Sequence, residues 1–258
     1  MSDTKMAVKQ QQGESWGELA KTVIYAGLIA IVIRTFLFQP FNIPSASMEA
    51  TLLVGDYLFV EKFSYGYSHY TFPFGGAPFL QNMHGRFMSR EPTRGDVVVF
   101  KMPNKDSADY EKDFIKRLIG MPGDTIQMKD GVLWINGKQV PKVRVADYVE
   151  TVDGQQYHVP QYRETLPNGH SYNVLDRDPE GALDNTPEFK VPAGNYFMMG
   201  DNRDNSDDSR AAVGFVPAEY LEGKAMIRFF STDSSAHVWE FWKWPFAIRY
   251  SRILTRVN

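Results

Sequence analysis

The chain has 258 residues, a formal net charge of -3 and no cysteine. That length holds one sizeable core with a smaller appendage beyond any anchor, but not two large independent domains. Without a dense Lys/Arg stripe nucleic acid is excluded as a partner class, and without cysteine so are disulfides, thiolate metal sites and a cysteine nucleophile.

The first element in chain order spans residues 22–38, TVIYAGLIAIVIRTFLF, with a single charge at Arg34. A helix crossing the hydrocarbon core needs about 17–25 mainly apolar residues, and an Arg near one end can snorkel to the interface, so this run is predicted as a transmembrane anchor. Lys5, Lys9 and Lys21 precede it, and no Lys or Arg follows between Thr35 and Glu61. The positive-inside rule then makes residues 1–21 a cytoplasmic segment and puts the body on the far side. A cleaved secretory signal, with Pro44-Ser45-Ala46-Ser47 supplying small residues, is the competing reading, although signal cores run only about 7–15 residues.

After Pro40 the pattern changes to period-2 alternation with frequent turn dipeptides. The predicted fold class is all-β, a mostly antiparallel sheet, plus the one N-terminal transmembrane helix. Val132-Leu133-Trp134-Ile135 followed by Asn136-Gly137 and Lys138-Gln139-Val140 reads as a hairpin, because Asn-Gly accepts the positive φ values of a type I′ turn. Asp153-Gly154 and Asn168-Gly169 repeat the signal. Further strands are expected over residues 57–63, 96–101, 114–119, 196–199 and 224–230. Residues 64–94 read as a surface loop, and 143–189 as an inserted β subdomain that splits a catalytic core of 39–142 and 190–258. The tail around Trp239, Trp242 and Trp244 is suited equally to the membrane interface and to packing on the β core.

Three segments carry chemistry. Ile43-Pro44-Ser45-Ala46-Ser47-Met48 lies just past the anchor; alone, its serines are as well explained as solvated turn hydroxyls. In Asp113-Phe114-Ile115-Lys116-Arg117-Leu118-Ile119-Gly120, strand alternation puts Lys116 between Phe114 and Leu118, and Arg117 between Ile115 and Ile119. A desolvated Lys loses its proton readily whereas Arg does not, so only Lys116 could serve as a base; a snorkelling edge lysine is the bland alternative. The third segment runs from Gly200-Asp201-Asn202-Arg203 to Ser206-Asp207-Asp208-Ser209-Arg210. A calcium loop starting at Asp201 would need ligands where Arg203 and Ala212 stand, which leaves a polar loop held by Asp–Arg bonds. The histidines at 69, 84, 158, 170 and 237 lack metal-ligand spacing, and neither a Gly-x-Ser-x-Gly elbow nor a P-loop occurs, while a dispersed Ser-His-Asp triad stays open.

Taken in order, Pro44-Ser45-Ala46-Ser47-Met48, Gly55-Asp56-Tyr57-Leu58-Phe59-Val60, the run from Lys116-Arg117 to Gly123-Asp124, and the run from Gly200 to Arg210 resemble the four boxes of the type I signal peptidase family. These are membrane-bound serine endopeptidases that remove signal peptides from exported proteins. The resemblance implies Ser47 as nucleophile, Lys116 as general base, and an oxyanion hole from the Ser47 N–H and the Ser45 hydroxyl. It further implies Ser206 orienting the amine, an Asp208–Arg210 supporting ion pair, and shallow pockets flanked by Ile43, Met48, Leu52, Phe114 and Ile115. The expected partners are signal peptides of exported preproteins, cut after Ala-x-Ala-like sites, and a phospholipid membrane. A monomer in the bacterial inner membrane, without metal or cofactor, completes the expectation. Ala50 replaces the Pro that usually precedes Thr51-Leu52 in the first box. A self-cleaving repressor-type protease and an inactive membrane-anchored β scaffold are the competing readings.

Overall fold

The computed structural model describes residues 16–72, 85–152, 155–233, 235 and 239–258. Most of the cytoplasmic segment, with Lys5 and Lys9, the middle of the 64–94 stretch, His84, the Asp153-Gly154 turn and His237 lie outside the described residues.

Helix α1 (Trp16–Phe36) is 21 residues long and buries none of them. At 1.5 Å per residue it spans about 31 Å, which matches a bilayer core, and a largely apolar helix that meets the body only near its end, where Phe36 packs on Tyr67 and Phe72, suits lipid. It starts and ends earlier than the 22–38 run. Pro40 lacks an N–H and disfavours helical geometry at Gln39, so the chain is already extended from Phe38.

Strands β1 (Phe38–Asn42), β2 (Asp56–Glu61), β3 (Val97–Lys101) and β4 (Asp113–Gly120) begin the main sheet, and β5 (Thr125–Lys129), β6 (Val132–Ile135) and β7 (Lys138–Gln139) form a meander. Next come β8 (Lys142–Arg144), β9 (Tyr148–Val152), β10 (Gln155–Val159), β11 (Gln161–Thr165) and β12 (Ser171–Leu175), which make the pair β10-β9 and the triplet β12-β11-β8. Then β13 (Phe189–Lys190) joins the meander, while β14 (Asn195–Met199), β15 (Val216–Pro217), β16 (Leu221–Ser231) and β17 (Thr255–Arg256) complete the main sheet. Its order is β1-β2-β16-β3-β4-β14-β15, with β17 on β16, and every ladder is antiparallel.

β3 explains how the core is divided. Val97, Val98, Val99 and Phe100 are all buried, because both faces of this strand are covered. Val98 and Phe100 join Leu118, Met198 and Tyr220, whereas Val97 and Val99 join Ile43, Met48, Leu52, Leu58 and Val60. β4 lies beside β3, with Val98 opposite Lys116 and Val97 opposite Arg117.

The Asn136-Gly137 turn forms as expected, with φ of 54° and 72°, and Asp130-Gly131 makes a second such turn with 48° and 69°. Asn168-Gly169 instead sits inside the loop 166–170, where the Asn168 amide donates to Arg94 O at 2.7 Å. The stretch read as a surface loop is tied down at both ends. Tyr65 is buried and donates its hydroxyl to Asp96 Oδ2 at 2.9 Å, and the Arg86 guanidinium donates to the carbonyls of Tyr65, Ala218 and Leu221 at 2.9, 2.9 and 2.6 Å. Such buried carbonyls need donors, and one guanidinium supplies several.

Candidate active site

Ala46–Met48 form a 3₁₀ turn, continued by Leu52 N donating to Met48 O at 2.8 Å. Met48 and Leu52 roll fully into the core, and Ser47, itself buried, faces β4. There Ser47 Oγ lies 2.7 Å from Lys116 Nζ, an atom that also donates to Ile115 O at 3.2 Å and sits 5.4 Å from the Phe114 ring centroid. Lys116 is 4 % exposed. Burial pushes its ammonium down to about 8, against the opposing pull of Asp208, Asp207 and Asp201. A hydroxyl beside an amine that loses its proton near neutral pH has the spacing and the protonation that nucleophile–base chemistry requires.

Arg117, one residue on, faces the other way and is held rather than neutralised. It is fully buried, with Nε and Nη2 donating to Asp201 Oδ1 and Oδ2 at 2.8 and 2.7 Å, Nη1 to Gly95 O at 2.8 Å, and Tyr172 beneath the guanidinium. The bidentate bonds compensate its desolvation.

The loop after β14 clamps the Ser47 turn. Asn202 donates its backbone N–H to Ser47 O at 3.1 Å and its amide to Ala46 O at 3.1 Å. Gly200 lies so close that a Cβ there would stand 2.2 Å from Ser206 Oγ and 2.6 Å from Ser47 O. Asp208 and Arg210 form a buried pair through Nε–Oδ1 and Nη2–Oδ2 bonds of 3.0 and 2.8 Å, and Asp208 Oδ2 accepts from Gly200 N at 3.0 Å. Burial alone would raise the Asp208 carboxyl, but Arg210 and these backbone donors hold it below its ordinary range.

The structure departs from two expectations. Among the described residues the buried Ser206 Oγ makes no hydrogen bond, so the expected bond to the amine is not formed, and the amine's second bond is to Ile115 O. Ile43, Met48 and Leu52 are filled core rather than pocket wall, because the turn directs them into the cluster under β2 and β3; Phe114 and Ile115 alone of the five are partly exposed. Ser45 is exposed, its Oγ 3.5 Å from Ser47 Oγ.

Two supports were not assigned from the sequence, although the Gly200–Arg210 segment that holds one of them was singled out. One is the Asn202 clamp. The other is Glu164 on β11, which takes Arg203 Nη1 and Nη2 at 2.7 and 2.5 Å and the Tyr172 hydroxyl at 2.8 Å, all buried. Among the described residues the carboxylates of Asp176, Asp184 and Asp204 lie within 4.8 Å of one another, and the Lys142 ammonium is already paired with Asp176.

A family model described as signal peptidase, peptidase S26, matches residues 16–230. The chain belongs to this family. Signal peptidase I of Rickettsia conorii is 42% identical over 236 residues, covering 89% of this chain and 84% of that one. That of Rickettsia prowazekii is 46% identical over 210 residues, covering 79% and 76%. A crystal structure of a signal peptidase I from Enterococcus faecalis covers 52% of this chain and 97% of its own, with 28% identity and a TM-score of 0.31. Family membership makes the chain a type I signal peptidase, a serine peptidase that removes signal peptides, and with α1 a membrane-anchored one. The repressor-type and inactive-scaffold readings are thereby set aside.

Proposed function

We propose that this peptidase works through a Ser47–Lys116 dyad and cuts exported preproteins after small-x-small sites. The observation that carries the reading is the 2.7 Å contact between Lys116 Nζ and Ser47 Oγ in a site where the lysine is buried. The neutral amine takes the hydroxyl proton as Oγ attacks the scissile carbonyl. The oxyanion accepts hydrogen bonds from the Ser47 N–H and the Ser45 hydroxyl. On collapse the ammonium gives its proton to the leaving amine, and the acyl-enzyme is then hydrolysed by a water that the same amine deprotonates. These steps need no metal or cofactor, and since one chain supplies every group the unit of activity is a monomer.

The substrate lies extended against a sheet edge, the binding mode open to a segment leaving the membrane. A preference for small side chains fits the little apolar surface left open beside Ser47, where Phe114 and Ile115 are only partly exposed. Asp208–Arg210 supports the loop, and Ser206, pressed against Gly200, keeps it close to the Ser47 carbonyl. Residues 39–142 and 190–258 form the catalytic core and 143–189 an insertion whose Glu164 braces it.

The protein sits in the bacterial inner membrane with its N-terminus in the cytoplasm and its body on the periplasmic face, as the lysines before α1 favour. Trp239, Phe241 and Phe246 are 70, 69 and 87% exposed, which suits the headgroup layer better than a β core. The test uses the full chain in neutral detergent with a preprotein carrying an Ala-x-Ala site. Ser47→Ala and Lys116→Arg should each abolish cleavage, and retained activity in either variant removes that residue from the mechanism.

A further inference from the structure

A second concave site lies on the far side of β4 from the dyad. It is an open, mainly polar depression of about 560 Å³. Its lining includes Arg163 from β11, Arg228 from β16, and Arg252 and Arg256 from the C-terminal segment, with Thr51 and Tyr172 between them, and no Asp or Glu side chain.

Three of the four guanidinium groups have no ion pair among the described residues. Among the described residues an ion pair reaches only Arg252, which binds Asp56 through Nε–Oδ1 and Nη2–Oδ2 bonds of 3.0 and 2.5 Å. Arg228 spends its donors on neutral oxygens, Thr255 Oγ1 at 2.8 Å, Thr51 O at 2.8 Å and Arg256 O at 3.0 Å. Arg163 and Arg256 are exposed, and the one side-chain bond on either is from Arg163 Nε to Asn173 Oδ1 at 3.4 Å. The carbonyl of Asn258 in the same wall is engaged by Arg117 at 3.0 Å. Among the described residues four cations therefore face the single paired anion Asp56. Burial and the neighbouring Arg252 push the Arg228 guanidinium down from its ordinary range, with Asp56 pulling the other way. Like charges gathered this closely repel, and an anion taking several N–H donors at once removes the repulsion.

We infer that this cavity is an anion site for a phosphate group, gripped chiefly by Arg163 and Arg256 and backed by Arg228 and Arg252. The planar fork of Arg is suited to phosphate oxygens, and phosphate reaches a membrane-anchored protein either free or as a phospholipid headgroup. A substrate carboxylate is the weaker fit. Arg117, Thr51 and Tyr172 mark the cavity as lying on the face of β4 opposite Lys116, so a peptide engaged at Ser47 does not run into it. The site also touches the nucleophile turn, since Arg228 Nη1 and Arg252 Nη2 both donate to Thr51 O, at 2.8 and 3.0 Å.

The test is calorimetric titration of the full chain in neutral detergent at fixed ionic strength. One arm uses inorganic phosphate; the other adds short-chain phosphatidylglycerol, with short-chain phosphatidylcholine as the neutral reference. Saturable one-site binding is expected, weakened at least tenfold in the Arg163→Gln/Arg256→Gln variant, whose melting temperature without ligand should match the wild type. Arg256→Gln alone serves if the double variant does not fold, with a weakening of at least threefold. Binding of phosphatidylglycerol but not phosphatidylcholine assigns the site to a headgroup, and binding of inorganic phosphate alone assigns it to the free anion. No saturable binding of either anion, or binding that both variants leave unchanged, overturns the inference.

Discussion

Replacing Lys116 with Met should stabilise the protein while abolishing catalysis. Met has a similar length and no charge, so it fills the space between Phe114 and Leu118 without a group that wants water. In the folded chain burial pulls the lysine from 10.5 to about 8. At about 1.4 kcal/mol per unit, keeping that ammonium folded at pH 7 costs about 3 kcal/mol. Losing the bonds to Ser47 Oγ and Ile115 O returns about 1 kcal/mol of that. The net gain, about 2 kcal/mol, corresponds to about 4–8 °C in melting temperature for a chain of this size. The sign with pH follows from proton counting. Between pH 8 and 10.5 the unfolded lysine binds more protons than the folded one, so wild-type stability rises with pH across that window. The advantage of the variant is therefore complete below pH 8 and gone by pH 10.5. Differential scanning calorimetry of both full chains in neutral detergent, at pH 7 and 10.5, reads this directly. A variant less stable than the wild type at pH 7, or a gap that does not change between the two pH values, refutes the reasoning.

Gly200→Ala should lower kcat by at least about a hundredfold with KM little changed, because a new Cβ would stand 2.5 Å from Ser206 Cβ and 2.6 Å from the Ser47 carbonyl, neither of which a side-chain rotation can clear, so backbone must move; wild-type kcat would show that the turn has slack. Ala50 has φ of 87°, strained for a residue with a Cβ, and no proline can adopt that angle. Ala50→Pro should thus lower the melting temperature and Ala50→Gly should not, and a proline variant as stable as the wild type contradicts the turn geometry. Glu164→Gln strands the buried Arg203 charge and should cost about 3–5 kcal/mol by urea unfolding, with most of it recovered on adding Arg203→Met; a loss under about 1 kcal/mol would show that the pair is not what braces the loop.

The sequence revealed what local pattern can encode. Alternation put Lys116 and Arg117 on opposite faces of one strand, and the structure buries the first beside Ser47 and locks the second to Asp201. The Asn136-Gly137 hairpin and the five expected strand runs were legible for the same reason, since turn chemistry and period are short-range properties. Contacts between distant segments were not legible. Glu164 on β11 and Arg203 in the loop after β14 lie 39 residues apart, and nothing near either residue announces the other. Met48 and Leu52 look like pocket residues because they flank Ser47 in sequence, yet a 3₁₀ turn sends neighbours in different directions and buries both. Strand β1 had no signal because only Phe38 of it belongs to the apolar run, and Gln39-Pro40 then reads as a break rather than as a strand.

A pH profile of kcat/KM bears most directly on the dyad, since it reports the ionisation of the free enzyme. With the full chain and a signal-peptide substrate, log kcat/KM should climb with unit slope below pH 8 and level off above it, as the buried amine at position 116 becomes neutral. A profile flat through pH 6–9, or one that climbs in the same way when that lysine is replaced by arginine, would contradict the assignment.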